Sequence, residues 1–348
     1  MSSTPISSTA RAVLAGIHNP PGKAPAEALP EPFFADRSAL RRNCNRAAAS
    51  FSQGDALHRE VAVRMLERLG YIKLAVRAAL DLGCATGSAL PGLRERYPRA
   101  ALTGVDFAFE MARRAAPPPG LLGRWRARLQ GGGAAAVCAD LAALPFAPHS
   151  IDLVWSNLAL HWLDDPSPAV REAHRVLRSG GLFMFSTLGP DTLKELRAAW
   201  HEADIASQRA APWRVKRFID LHDIGDLLVK AGFAAPVMDM ETITLTYDTL
   251  DKLCADLAAT GSVNAMTGRA RGLTGKATWS RLRAACERWR QDGRLPATFE
   301  VVYGHAWKSP PRHAASGAQI VRFAERGGSG NSAGNSAGSN AGSKSSRQ

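Results

Sequence analysis

The amino-acid sequence predicts an α/β fold: a mostly parallel, Rossmann-like seven-stranded sheet with helices on both faces and a helical insertion before the last strand. Three observations carry that reading. Short apolar runs at Ala78–Leu82, Ala101–Val105, Ala134–Ala139, Ile151–Ser156 and Leu182–Thr187 alternate with segments of helical period. Runs of this kind, apolar without strict alternation, are those of strands buried on both faces. The first run ends in a glycine-rich turn, Gly83 to Gly87. Finally, Met238–Tyr247 and Thr298–Trp307 read as two closing strands, and the largely helical, polar stretch between them, Thr249–Pro296, is placed to cover a pocket.

Taken in order, residues 1–38 form a loose leader rich in Ala, Pro and Ser, a domain spans 39–308, and 309–348 becomes a Gly-Ser-Asn-Ala tail too simple to build a core. Leu57, Val61, Met65 and Leu69 recur every four residues and give one apolar helical face. A helix follows the glycine turn over Leu90–Tyr97. Phe109–Ala116 is helical until Pro117–Pro119 stop it, and Gly120–Gly133 is a basic surface insertion. Val170, Ala173, Val176 and Leu177 mark a helix that Gly180 and Gly181 are expected to cap. Another helix runs from Asp223 to Gly232.

Composition narrows the function classes. With 348 residues the chain buries a core without covalent staples. Its five cysteines, Cys44, Cys84, Cys138, Cys254 and Cys286, form no CxxC pair and no zinc-ligand spacing, so neither a disulfide scaffold nor a metal site is expected, and the compartment is read as reducing. There is no apolar stretch near the roughly 18 residues of a membrane span and no apolar signal-peptide core, so the expected location is cytoplasmic. The net charge is +13, part of it in the tail (Arg312, Arg322, Arg326, Lys344 and Arg347 against Glu325). The rest is dispersed, without interleaved aromatic residues, which argues against nucleic acid and suits an acidic protein partner.

The chemistry sits at the ends of the strands. In Asp81-Leu82-Gly83-Cys84-Ala85-Thr86-Gly87 the glycines let backbone approach a ligand after a strand and before a helix. Asp106, with Phe107 beside it, ends the next strand 25 positions on, where a carboxylate accepts from both ribose hydroxyls of a nucleoside. The full GxGxxG pattern of NAD-binding proteins is absent. An acidic residue two positions before the first glycine is instead the form that binds S-adenosyl-L-methionine, with Asp81 meeting its ammonium directly or through water. Asp140 is placed to accept from an adenine amino group, with Leu141 packing on the ring. Ser156 and Asn157 close the fourth strand at the same edge, and Asn157 and His161 are the candidates for positioning the reactants. Cys84 reads as a small packed residue, since no activating partner is evident.

Five segments together are more specific. Asn45 to Phe51, the Asp81–Gly87 turn, Ala139 to Pro145, Trp155 to Trp162 and Ser186 to Leu193 resemble the malonyl-acyl-carrier-protein O-methyltransferases of biotin synthesis, over roughly residues 40–308. The resemblance implies S-adenosyl-L-methionine as methyl donor and methylation of the free carboxylate of a malonyl thioester on acyl carrier protein. Such a substrate is already ionised at neutral pH and needs alignment rather than a base. An arginine or lysine should hold it, and Arg214, Arg217, Arg269 and Arg271 are the candidates. The chain departs from the family in having Ala85 at the second glycine of the turn and Phe51 where a tyrosine is usual. Leu160 to Trp162, Gly189 to Arg197 and Leu295 to Thr298 also resemble methyltransferase-like respiratory complex I assembly proteins, which implies arginine hydroxylation or assembly help. A silent cofactor-binding module is a third alternative.

Overall fold

The computed structural model describes residues 34–116, 135–207 and 214–310. The expected leader up to residue 33, the basic insertion at 120–133 and the tail from 311 lie outside the described residues. A seven-stranded sheet forms the centre, in the order β3-β2-β1-β4-β5-β7-β6. Its members are β1 (Ala78–Leu82), β2 (Ala101–Asp106), β3 (Ala135–Cys138), β4 (Ile151–Ser156), β5 (Leu177–Leu188), β6 (Phe233–Tyr247) and β7 (Leu295–Lys308). The pairs among β1 to β5 are parallel, whereas β7 runs antiparallel to both β5 and β6.

The central strands are apolar on both faces because helices cover both. On one face α3 (Ala56–Gly70) buries Leu57, Val61, Met65 and Leu69, the four residues of the predicted stripe, against Leu102, Leu153 and Trp155. On the other, α6 (Ser167–Val176) and α8 (Leu221–Lys230) bury Val170, Ala173, Ile224 and Leu228 against Leu80, Val154, Phe183 and Phe185. Between β6 and β7 the insertion carries α9 (Leu250–Ala259) and α10 (Lys276–Glu287), and α7 (Lys194–Ile205) packs with it through Trp200 and Trp279. At the other end of the chain come α1 (Arg37–Ala47), which starts two residues ahead of the expected boundary at 39, and the single turn α2 (Phe51–Gly54). After β1 follow α4 (Leu90–Arg96) and, after β2, α5 (Phe109–Ala115).

Three expectations are corrected. Gly180 and Gly181 do not cap α6; the helix stops at Val176 and both glycines lie inside β5, which starts at Leu177. The cap comes from far along the chain. Lys308 at the end of β7 is buried, and its ammonium donates to the carbonyls of His174 (2.6 Å) and Leu177 (2.8 Å), a cation at a helix C-terminus. Strand β6 starts at Phe233 rather than Met238, with an irregularity between Ala234 and Val237 where Ala235 has φ +47°. Strand β7 starts at Leu295, three residues earlier than expected.

Candidate functional site

The glycine turn leaves β1 at the C-terminal edge of the sheet, where parallel strands direct their ends toward ligands. Gly83 and Cys84 both donate backbone N–H to Val105 (2.7 and 3.1 Å), which ties the turn to β2. Gly83 has φ +72°, and a Cβ there would lie 2.2 Å from that of Ala159, so no side chain fits. Ala85 has φ +47°. Ala85 therefore holds a left-handed conformation that glycine adopts without strain.

Three features of the turn set its electrostatics. Asp81 is buried, and neither carboxylate oxygen has a hydrogen-bond partner among the described residues. Burial, then the neighbouring Asp106, pushes its pKa up to about 7. Asp106 accepts from the backbone of Ala85 (3.0 Å) and Ala108 (2.8 Å); burial still raises it to about 6 against those two bonds. An orphaned buried carboxyl group is costly unless a cation or donor reaches it, so Asp81 fits a ligand carrying an ammonium. The Cys84 thiol is pushed well above its ordinary value, first by burial and then by Asp81 and Asp106, which suits a packed residue rather than a nucleophile.

Beyond the turn lies a cavity of about 270 Å³. Of the predicted residues, Gly83, Ala85, Asp106, Phe107, Asp140, Leu141 and Asn157 line it, whereas Asp81, Cys84 and Gly87 do not. Its charged residues are Asp106, Asp140, Asp164, Asp165 and Arg37. Asp140 receives the N–H of Ala142 (3.0 Å) and the guanidinium of Arg37 (2.6 Å), so α1 reaches across the cavity to the end of β3. Asn157 serves as a strut: its amide donates to the His58 carbonyl (2.9 Å) and its oxygen accepts from Ser186 Oγ (2.9 Å), fixing α3 to β5 beside the cavity.

His161 lines a different space. A second cavity of about 140 Å³ adjoins the first, the two sharing Leu40 and Trp162. Its wall is apolar (Leu188, Leu193, Leu196, Val215, Phe218, Leu257, Phe299) with polar Thr192, Ser262 and Asn264. The insertion closes it, as expected, through Leu257 and Ser262–Met266. Those residues also hold the start of the described chain, since Asp36 N–H donates to Ala265 (2.7 Å) and Thr267 N–H to Phe34 (2.8 Å). His161 is buried, its Nδ1 has no partner, and burial, then Lys216 and His58, keeps it neutral.

Sequence reasoning missed several lining residues. Arg37 and His58 lie on helices whose orientation the chain pattern does not reveal. His58, half-buried, lines the first cavity against the Phe51 ring (centroids 5.1 Å apart), and desolvation depresses it to about 4. Lys216 sits between two nominated arginines and was itself passed over. Of those nominated, Arg214 reaches the second cavity, Arg269 pairs with Asp36 (3.1 Å), Arg271 is exposed, and Arg217 lines neither cavity.

Comparison with known proteins agrees with this geometry. A family profile described as a methyltransferase domain matches residues 80–185, from β1 through most of β5. A malonyl-acyl-carrier-protein O-methyltransferase from Laribacter hongkongensis is 49% identical over 298 residues, covering 85% of this chain and 98% of that protein. Proteins of the same name from Gallionella capsiferriformans and Legionella pneumophila are 48% and 38% identical, covering 83% and 79% of this chain and 97% and 92% of theirs.

Proposed function

The chain belongs to the malonyl-acyl-carrier-protein O-methyltransferase family, and from that premise we propose that it methylates the free carboxylate of a malonyl thioester carried on acyl carrier protein, an early step of biotin synthesis. It is an S-adenosyl-L-methionine-dependent methyltransferase with the α/β fold expected of one. The observation that carries the substrate reading is the charge of two adjoining cavities. Among the described residues, the first, at the glycine turn, is lined by four aspartates and one arginine, and the second by Arg214 and Lys216 with no carboxylate. The first suits a cationic sulfonium cofactor, the second an anionic acyl group. The family reading is favoured over the assembly-factor and silent-module alternatives.

The residues divide the work accordingly. Asp81 would take the cofactor's ammonium, Asp106 its ribose hydroxyls, and Asp140 and Leu141 the adenine. When bound, the cofactor would supply an electrophilic methyl group on a cationic sulfur, with the neutral thioether as leaving group. The protein needs no general base, since a carboxylate is ionised at neutral pH. Its task is to aim that oxygen and exclude water. Trp162 and Leu40, shared by both cavities, and the Asn157 strut hold the two compartments in register. Among the described residues no helix is long and apolar enough to cross a membrane. The reading includes a catalytic domain over 39–308, a cytoplasmic location and no nucleic-acid partner.

Complementation of a biotin-requiring strain lacking its methyltransferase tests this. Growth is expected, together with a gain of about 14 mass units on malonyl carrier protein incubated with the cofactor. Soluble expression without growth, and no mass gain, would sink the substrate assignment.

A further inference from the structure

We infer that Lys216, with the imidazole of His161 beside it, grips the malonyl carboxylate in the second cavity, in place of the four arginines that the sequence singles out. The inference rests on the function proposed above and names residues for it. Two cations line this cavity, Arg214 and Lys216, and they differ in what they already hold. Arg214 is committed. Its Nε and terminal nitrogen reach both oxygens of Asp204 (3.0 and 2.8 Å), Asp204 is 1% exposed, and the guanidinium lies 4.3 Å over the Trp200 ring. A planar two-bond pair of this sort is among the strongest side-chain contacts, and breaking it would strand a buried charge.

Lys216 is held more loosely. Its ammonium donates to the Leu163 carbonyl at 3.2 Å and pairs with a single oxygen of Asp164, Oδ1, at 3.0 Å. An ammonium has three protons, so capacity is left for an anion. Asp164 itself lines the first cavity and accepts from the backbone of Ala35 (2.8 Å), so the Lys216–Asp164 contact bridges the two compartments. His161 adds a buried Nδ1 without a partner on the same wall. A carboxylate arriving here would take one bond from the ammonium and one from the imidazole. Apolar Leu196, Val215, Phe218 and Phe299 would surround the methylene and thioester behind it.

The test is a comparison of ligands in binding, separate from turnover. Wild type, Lys216→Met, Lys216→Arg and His161→Phe are saturated with S-adenosylhomocysteine and titrated calorimetrically with malonyl-pantetheine and with its neutral amide analogue. Wild type is expected to prefer the carboxylate at least tenfold, and Lys216→Met to lose most of that preference, because a hydrogen bond to a charged group is worth roughly 1.5–3 kcal/mol. Lys216→Arg should restore part of it, and His161→Phe should reduce it less than Lys216→Met. S-adenosylhomocysteine affinity should stay within about twofold in all four. The inference is overturned if Lys216→Met keeps the preference, if wild type has none, or if cofactor and malonyl affinities fall together. Turnover of malonyl carrier protein by wild type judges the function independently.

Discussion

Replacing Asp81 by asparagine should make the ligand-free protein more stable at neutral pH, by an amount that grows with pH. The carboxyl group is buried without a partner and titrates at about 7 rather than near its ordinary 3.8. Between those values the folded protein keeps a proton that the unfolded chain has released. Folding stability therefore falls as pH rises from about 4 to about 7, and the whole loss is in force above 7. At about 1.4 kcal/mol per pH unit, the loss at pH 7.5 is on the order of 4 kcal/mol, against about 2 kcal/mol at pH 5.5. Histidines contribute with the opposite sign: His58, depressed to about 4, and His161, His174 and His305, also depressed, stay neutral in the fold and remove stability as pH falls below about 6.5. These terms are common to wild type and Asp81→Asn, so the difference between the two isolates Asp81. Urea denaturation at pH 5.5, 6.5 and 7.5 should show the variant's advantage growing by about 2 kcal/mol across the series, a Tm difference growing by roughly 4–8 °C. The same variant should bind S-adenosyl-L-methionine poorly, since the amide offers no charge to the ammonium. A stability difference independent of pH, or one that shrinks as pH rises, would refute the reasoning.

Other perturbations address the rest of the site. Phe51→Tyr places a hydroxyl at the first cavity beside His58, and calorimetry should show cofactor affinity rising about three- to tenfold, the worth of one hydrogen bond. Ala85→Gly removes left-handed strain of roughly 1–2 kcal/mol but loosens the unfolded chain by about 0.4–1 kcal/mol, so urea denaturation should find stability unchanged or up by about 1 kcal/mol. Arg37→Ala breaks the exposed pair with Asp140; stopped-flow release of S-adenosylhomocysteine should quicken several-fold while Tm moves by less than about 2 °C, as expected for a surface ion pair. Lys308→Met leaves the last carbonyls of α6 without their ammonium, and thermal unfolding should show a loss of about 3 kcal/mol with the cofactor site intact.

Where chain-local patterns decide, the fold was legible from the amino-acid sequence. The stripe of Leu57, Val61, Met65 and Leu69 and the runs at Ala78–Leu82 and Ile151–Ser156 match the structure at residue level, because each buries itself in its own period. Boundaries set by distant partners were not legible. Gly180 and Gly181 have the composition of a helix cap, yet α6 needs none there: Lys308, more than 130 positions along the chain, already satisfies its carbonyls. The early start of β6 has a similar origin. A left-handed alanine at 235 gives no pattern of its own, and pairing with β7 carries Phe233 into the sheet regardless.

The candidate site divides along the same line, and the division bears on how substrate residues are found. The turn and the strand-end acids were readable because a cofactor held by one βα unit is recognised by neighbours in sequence. The second cavity is assembled from α7, the segment before α8, the insertion and the 3₁₀ turn at Leu160–Trp162, so no short segment encodes it. Sequence chemistry asked for an arginine or lysine and offered Arg214, Arg217, Arg269 and Arg271 without an order among them, since arginine is the residue type best suited to gripping a carboxylate. Tertiary contacts separate the candidates at this place. The very bidentate geometry that recommends Arg214 is used up on Asp204, ten residues upstream, whereas Lys216 meets its acid at one atom. A side chain's fitness to bind a ligand is thus set by what it has not already bound, and that depends on tertiary contacts that residue type does not disclose.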